Sequence, residues 1–236
     1  TDDTTKILNK FKNYKNIFIT ENIKVVPRTR ALNLLVSKIR HKYDFFTNVD
    51  ADDLLDKNWL TYAYNFMNKH NDVCVLSGQF ILINSQNEKY KKSNIPIYPH
   101  ILNQYFSYTF PVVHSGLIFR LNKIKNKRIY NEKLTFGQDW DLCINLAKKG
   151  LIVSIDKLST YFRHHEESLT KNLSNQLQST HDKLFNLKNG KKLANDLYSK
   201  IKNKNREASE IFAISYINLK KKNFFDSINY FFLGII

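Results

Sequence analysis

The acidic stretch Asn48-Val49-Asp50-Ala51-Asp52-Asp53 follows an apolar run, Tyr43 to Thr47, and precedes a segment with helical spacing, Leu54 to Asn71. A short apolar run bounded by polar residues reads as a buried strand. Three carboxylates then stand at the carboxyl end of a strand, the edge at which open α/β sheets bind their ligands. Two carboxylates one residue apart suit a hard divalent cation, and such a cation suits a diphosphate. The plainer reading is that Asp52 or Asp53 caps the next helix.

The flanking pattern alternates between helix and strand. Asp3 or Thr4 starts a helix to about Tyr14, and Asn16 to Thr20 is a strand candidate. Arg28 to Lys42 places Ala31, Leu32, Leu35 and Ile39 on one helical stripe. A helix from Asp56 to about Asn71 buries Trp59, Ala63, Phe66 and Met67. Two apolar runs follow, Val73 to Leu76 and Phe80 to Ile83. Ser85 to Pro99 reads as a long loop, His100 to Tyr108 as a short helix, and Val112 to Arg120 as a strand interrupted by Gly116. Leu121 to Leu134 is basic and irregular. A helix opens at Gln138-Asp139-Trp140-Asp141 and stops at Gly150. Leu151 to Ile155 and Ser159 to Arg163 are short strands, and a polar loop, His164 to Thr170, ends this part. The remainder has helical spacing, closing with Phe224, Phe225, Ile228, Phe231, Phe232 and Ile235 on one face. The alternation predicts an α/β fold over residues 1–170, with an α-helical C-terminal extension over 171–236.

Composition narrows the function classes. The 236 residues are 42% hydrophobic and carry a net charge of +16. That is a globular composition. No apolar run approaches the roughly 20 residues needed to cross a bilayer, and no signal peptide is visible. Cys74 and Cys143 lie in apolar segments and read as buried free thiols. The lysines are scattered among asparagines and form no block with interleaved aromatics, which argues against a nucleic-acid partner. A basic surface equally suits an anionic substrate or peripheral contact with an anionic membrane.

Four pieces stand in order: Asp2-Asp3, Asp50-Ala51-Asp52-Asp53 after a strand, Gln138-Asp139-Trp140-Asp141 opening a helix, and Arg163-His164-His165-Glu166-Glu167-Ser168-Leu169-Thr170 after the last strand. This order resembles glycosyltransferase family 2, the inverting enzymes of the GT-A fold, across about Thr1 to Thr170. Pro27-Arg28-Thr29-Arg30-Ala31-Leu32-Asn33 looks like the Arg-Ala-Leu-Asn helix that precedes the acidic motif in that family, and His114 to Arg120 looks like its acceptor-side strand.

The resemblance implies a GT-A-like mixed sheet flanked by helices. It implies a sugar transfer from a nucleotide-diphosphate donor, UDP-sugar by default, to a glycan or lipid-linked acceptor hydroxyl, with inversion and with Mg²⁺ or Mn²⁺ as cofactor. Asp52 and His165 are then the metal ligands of the DxD-type site. Asp2, Asp3, Asp50 and Arg163 are on the nucleotide-sugar side. Asp139 is the catalytic base, and Trp140 and His114 face the acceptor. The implied setting is bacterial cell-surface polysaccharide synthesis, in the cytoplasm or at the inner face of the cytoplasmic membrane.

Three departures qualify the resemblance. The chain starts at the Asp-Asp pair, so the expectation is an N-terminally incomplete domain without the family's first strand and loop. Gln138 replaces the family's usual Glu, and Lys127-Arg128-Ile129-Tyr130 replaces its Gly-Gly. The Gln-x-x-Arg-Trp motif of processive members is not seen, which favours single-sugar transfer. The alternative reading is an inactive glycosyltransferase-like fragment or binding module. A basic nucleic-acid-binding protein is the remote one, and it gives no reason for the ordered acidic motifs.

Overall fold

Two long strands form the spine of the computed structural model, which describes residues 3–20, 26–95, 97, 110–124, 129–164, 182–190 and 192. Strand β3 (Val73–Ile83) and strand β6 (Leu151–Arg163) run parallel from Val73 opposite Leu151 to Ile83 opposite Arg163. The sequence predicts each as two short pieces. The pieces join because the bend stays paired: β3 advances from Ser77 to Gln79 while β6 advances from Ser154 to Leu158. Gly78 makes the bend possible. A Cβ there would meet the Lys157 carbonyl oxygen at 2.5 Å and Ser159 Cβ at 2.9 Å.

Four shorter strands complete the sheet: β1 (Phe45–Thr47), β2 (Leu54–Leu55), β4 (Lys89–Lys92) and β5 (Ile118–Arg120). The order is β1-β5-β3-β6-β2, with β4 also on β3, and every pairing except β3–β6 is antiparallel among the described strands. This is the mixed α/β sheet that the alternation predicts.

Side chains alternate across the sheet and fill two cores. Val75, Phe119 and Ile152 face one side, with Val36 of helix α2 (Arg28–Ile39) and Trp140 and Ile144 of helix α4 (Gln138–Ala147). Leu76, Ile118 and Val153 face the other, with Trp59, Ala63 and Met67 of helix α3 (Trp59–Lys69). The result is a three-layer α/β/α arrangement. Burying one side chain the size of Met67 contributes about 1.5–3 kcal/mol, and Met67 is fully buried.

Several elements differ from the sequence reading for identifiable reasons. Leu54 and Leu55 pair with Tyr161 and Thr160 of β6, so α3 begins only at Trp59, after a turn in which the Asn58 N–H donates to Asp56 Oδ1 at 3.0 Å. On α2 the buried face is Thr29, Asn33 and Val36, and Leu35 is exposed. The helix is turned so that the Asn33 amide enters the interior. Ser85 to Pro99 is not all loop, because β4 folds back on β3 through a turn in which Asn87 has φ +67°. The strand expected over Val112 to Arg120 is extended only at Ile118–Arg120. Gly116, at φ +83°, bends the chain before it.

At the amino end, helix α1 covers Thr4–Asn9 and buries no residue. Asn16 to Thr20 pairs with no described strand, and Phe18 is 82% exposed. The expected helix at His100 to Tyr108 and most of the expected C-terminal helices lie outside the described residues. Residues 182–190 are helical, and Leu187 packs on the core beside α4. No helix among the described residues is long and apolar enough to cross a membrane.

Candidate active site

The acidic loop leaves the carboxyl end of β1, as its sequence context predicts. The Gly116 N–H donates to the Asn48 carbonyl at 2.9 Å, which ties the loop to the segment before β5. Gly116 accomplishes this because its left-handed backbone brings Ser115 alongside Asn48 in a parallel bridge.

The three carboxylates of the loop have different surroundings. Asp50 Oδ1 accepts from Arg28 Nη2 at 2.5 Å and from Asn48 Nδ2 at 2.9 Å. Asp52 is exposed. Asp53 is buried and caps no helix. It accepts from the Ser115 hydroxyl and from the Arg163 N–H at 2.8 Å. Burial pushes the Asp53 carboxyl above the usual carboxylate range, and the hydrogen bonds from Ser115 and Arg163 oppose that. Asp53 is thus the anchor that fixes the other two.

Arg163 closes this corner. Its Nε donates to the Asp52 carbonyl at 2.8 Å, its Nη1 to the Asn84 carbonyl at 2.7 Å and its Nη2 to Asn87 Oδ1 at 2.7 Å. The guanidinium assigned from sequence to the nucleotide-sugar side therefore clamps the acidic loop to the β3–β4 turn.

A cavity of about 570 Å³ opens beside Asp50. Arg28, Asp50, His114, Gln138 and Asp139 bring its polar groups, and Phe110, Val112, Phe136 and Phe162 bring apolar wall. Asp139 comes from the first turn of α4, and its Oδ1 accepts the Trp140 N–H at 2.9 Å. Gln138 Oε1 is buried with no hydrogen-bond partner among the described residues.

His114 lies at the floor. The Asn48 Nδ2 donor is 3.4 Å from His114 Nδ1, which makes Nδ1 the acceptor and leaves Nε2–H to donate to the Tyr130 hydroxyl at 2.9 Å. Burial first, and Arg28 second, push the imidazole down, against the pull of Asp139 and Asp50. The ring is neutral at neutral pH. Burial, with Asp139 adding to it, pushes the Tyr130 phenol well up, so it stays protonated.

The structure thus brings together Asp50, His114 and Asp139. Asp52 and Arg163 stand at the same acidic loop. Asp3 is exposed, with Lys6 Nζ at 4.0 Å, and it does not line the cavity. The Trp140 indole, placed on the acceptor side from sequence, is 5% exposed, packs in the core and backs the wall residue Phe110 at a centroid distance of 6.5 Å. Asp2 and His165 lie outside the described residues.

Sequence reasoning missed several residues that hold the site. Asn33 Oδ1 accepts the Ile129 and Tyr130 N–H groups at 3.0 and 2.9 Å, and its Nδ2 donates to the Tyr130 carbonyl at 2.9 Å. Arg28, Asn33 and Ser115 all fall inside segments the sequence singled out, which was the available signal, but no holding role was read for them there.

Among the described residues no group of three or more His, Cys, Asp or Glu side chains is placed to hold a metal ion. The donor set nonetheless fits Mg²⁺ or Mn²⁺. Such ions take one or two carboxylates and fill the remaining positions with phosphate oxygens and water, and the exposed Asp52 with Asp50 supplies that much.

A curled mixed sheet, flanked by helices and carrying paired carboxylates at a strand end beside a cavity, defines a GT-A glycosyltransferase fold. Residues 1–132, more than half of the chain, match the family described as glycosyl transferase family 2. The chain belongs to that family. The crystal structure of S. aureus TarS 1-349 is similar in fold, with a TM-score of 0.51 and 20% identity over 69% of this chain and 48% of that one. The chain therefore spans about half the length of that structure. Comparison with curated proteins gives no match.

Proposed function

We propose that this chain transfers a single sugar from a nucleoside-diphosphate donor to a hydroxyl acceptor, in one step and with inversion at the anomeric carbon. The observation that carries the reading is that Asp50 and Asp139, far apart in sequence, line one cavity. One belongs to the strand-end acidic loop suited to a donor, the other to a helix start suited to a base.

In this reading Asp139 takes the proton of the acceptor hydroxyl. The freed oxygen attacks the anomeric carbon, the bond from that carbon to the diphosphate oxygen breaks, and the electron pair leaves with the nucleoside diphosphate. Positioning of the two reactants and general-base catalysis each lower the barrier. Asp52, with Asp50 beside it and His165, would hold Mg²⁺ or Mn²⁺, which supplies positive charge to the diphosphate when bound. Asp50 meets the ribose side of the donor, with Asp2 and Asp3 toward the base. Arg163 acts by fixing the Asp52 backbone. His114, as a neutral floor group, faces the acceptor side.

The donor nucleotide is UDP by family frequency, and the acceptor is a glycan or a lipid-linked sugar of the cell surface. The +16 charge is compatible with work at the inner face of a membrane. Residues 1–170 form the family domain in this proposal.

The test is thermal melting of the chain with UDP, GDP or dTDP, each with and without Mn²⁺, beside Asp52→Ala. A Mn²⁺-dependent rise for one nucleotide, lost in the variant, supports the donor site and names its base. No shift with any of the three sinks donor binding by this chain.

A further inference from the structure

We propose that Asp182 and Asn186 are positioning residues for Asp139, and that helical residues 182–190 belong to the unit that carries the site. The inference rests on the base role proposed for Asp139.

Thr135, Phe136 and Gly137 line the cavity and lead directly into the first turn of α4. Their backbone is held from outside α4. Asp182 Oδ2 accepts the Thr135 N–H at 3.0 Å and the Phe136 N–H at 2.9 Å. Asn186 Nδ2 donates to the Gly137 carbonyl at 3.0 Å, and the same carbonyl accepts the Asp141 N–H at 3.0 Å, a bond of the opening turn of α4. Asp182 is 1% exposed and Asn186 is fully buried. Charge-assisted bonds that two adjacent N–H groups donate to one buried carboxylate are both strong and directional.

Gly137 shows how closely the parts fit. Its φ of +65° is a conformation that L side chains rarely adopt, and a Cβ there would meet Asn186 Nδ2 at 2.7 Å. The residue that turns the chain into α4 is therefore shaped to Asn186. Asp139 follows two positions later, with its carboxylate folded onto the Trp140 N–H. Its direction is set by the backbone from Gly137 to Trp140, and that backbone is set by Asp182 and Asn186. Displacing a base by about 1 Å can cost on the order of 100-fold in rate.

The experiment compares the full chain with Asp182→Ala, Asp182→Asn and Asn186→Ala. It reads amide hydrogen exchange by NMR, melting with UDP and Mn²⁺, and release of UDP from a panel of UDP-sugars. In Asp182→Ala, exchange at Thr135 and Phe136 is expected to rise roughly tenfold or more while Val75 and Ile152 stay protected. The UDP shift is expected to persist, and kcat to fall roughly 10- to 100-fold at an unchanged donor KM. Asp182→Asn keeps one acceptor oxygen and is expected to recover part of both losses. Unchanged exchange at Thr135 and Phe136, or faster exchange with an unchanged kcat, would overturn the assignment. So would loss of protection through β3, which would make Asp182 a residue of the whole fold. A wild-type chain that neither binds nor releases UDP overturns the transferase reading itself, and the exchange comparison then decides the clamp alone.

Discussion

The hydroxyl of Ser115 donates to the buried carboxylate of Asp53 and accepts the backbone N–H of Asp50 at 3.0 Å. One side chain thereby joins both ends of the acidic loop to the segment before β5. Ser115→Ala leaves a buried carboxylate oxygen and a part-buried N–H without this partner. Each such loss costs about 1–3 kcal/mol, so the variant is expected to be about 2–6 kcal/mol less stable in urea unfolding. It is also expected to weaken Mn²⁺-dependent UDP binding, because Asp50 and Asp52 lose their fixed spacing. Unchanged stability would mean that the loop is held by its other ties, to Arg163, Arg28 and the Gly116 N–H.

Asp139→Asn and Asp52→Ala are expected to separate chemistry from binding. The amide at 139 cannot take a proton, so turnover of a UDP-sugar falls roughly 10²- to 10⁴-fold, while the nucleotide-induced rise in melting temperature stays. The variant at 52 loses that rise. If Asp139→Asn abolished nucleotide binding with turnover, Asp139 would belong to the donor site, and the base would have to be sought elsewhere in the cavity.

Which parts of this site were legible in the sequence follows from the range of the forces involved. Asp50 and Asp139 stand at a strand end and a helix start, and both boundaries are written in local patterns. Asp53, Asn33 and Asp182 act through hydrogen bonds to backbone far away in the chain, and no local pattern announces those. Asn33 also explains why the buried face of α2 is shifted from the predicted stripe, of which Leu32 and Ile39 still pack on the core and Leu35 does not. A polar residue took the buried face because four hydrogen bonds awaited it, including one to Glu132 Oε1 at 3.0 Å. The burial of Trp140 was not legible because the motif that contains it gives no indication which face of α4 meets the core. The continuity of β3 and β6 was hidden for a related reason. Gly78 and polar residues 156 and 157 look like breaks until the two bends are seen to pair.

Asp141 offers a pH test away from the acidic loop. Its carboxyl is buried and pushed above the usual range by desolvation, against the pull of Lys148, and Asn145 Nδ2 donates to it at 3.2 Å. A raised carboxyl pKa means that the folded state holds this proton more tightly than the unfolded chain. The stability it contributes is present below the unfolded pKa and is lost as pH rises through the folded one. Wild type is therefore expected to lose stability relative to Asp141→Asn as pH rises from about 4 toward neutrality. A stability difference independent of pH would show that the carboxyl is not perturbed by its burial.

The two thiols are expected to be inert in the folded chain. Cys74 and Cys143 are fully buried, and burial pushes both thiols up, with Asp139 and Asp141 adding to the effect at Cys143. Reactivity requires thiolate and access, and both are denied. Labelling with a thiol reagent should be negligible in the native protein and complete in denaturant. Fast labelling of Cys143 under native conditions would mean that α4 opens locally.

Gly116→Ala tests whether the bend before β5 is required. The residue has φ +83°, and a Cβ would clash with Thr160 Oγ1 and meet Leu55 Cδ2 at 3.1 Å. Thr160 cannot yield easily, because its hydroxyl donates to the Ser115 carbonyl at 2.8 Å within a buried strand. The Gly116 carbonyl in turn accepts from Trp59 Nε1 at 2.8 Å, so a shift of this backbone also disturbs the second core. Left-handed strain alone costs about 1–3 kcal/mol, and the clash adds to it. The expected outcome is a loss of at least about 2 kcal/mol in urea unfolding, with Mn²⁺-dependent UDP binding reduced at the same time because His114 and Ser115 move with the bend. A variant of unchanged stability would show that the chain can straighten here. The acidic loop would then owe its position to the Ser115, Asp53 and Arg163 hydrogen bonds and not to the left-handed turn.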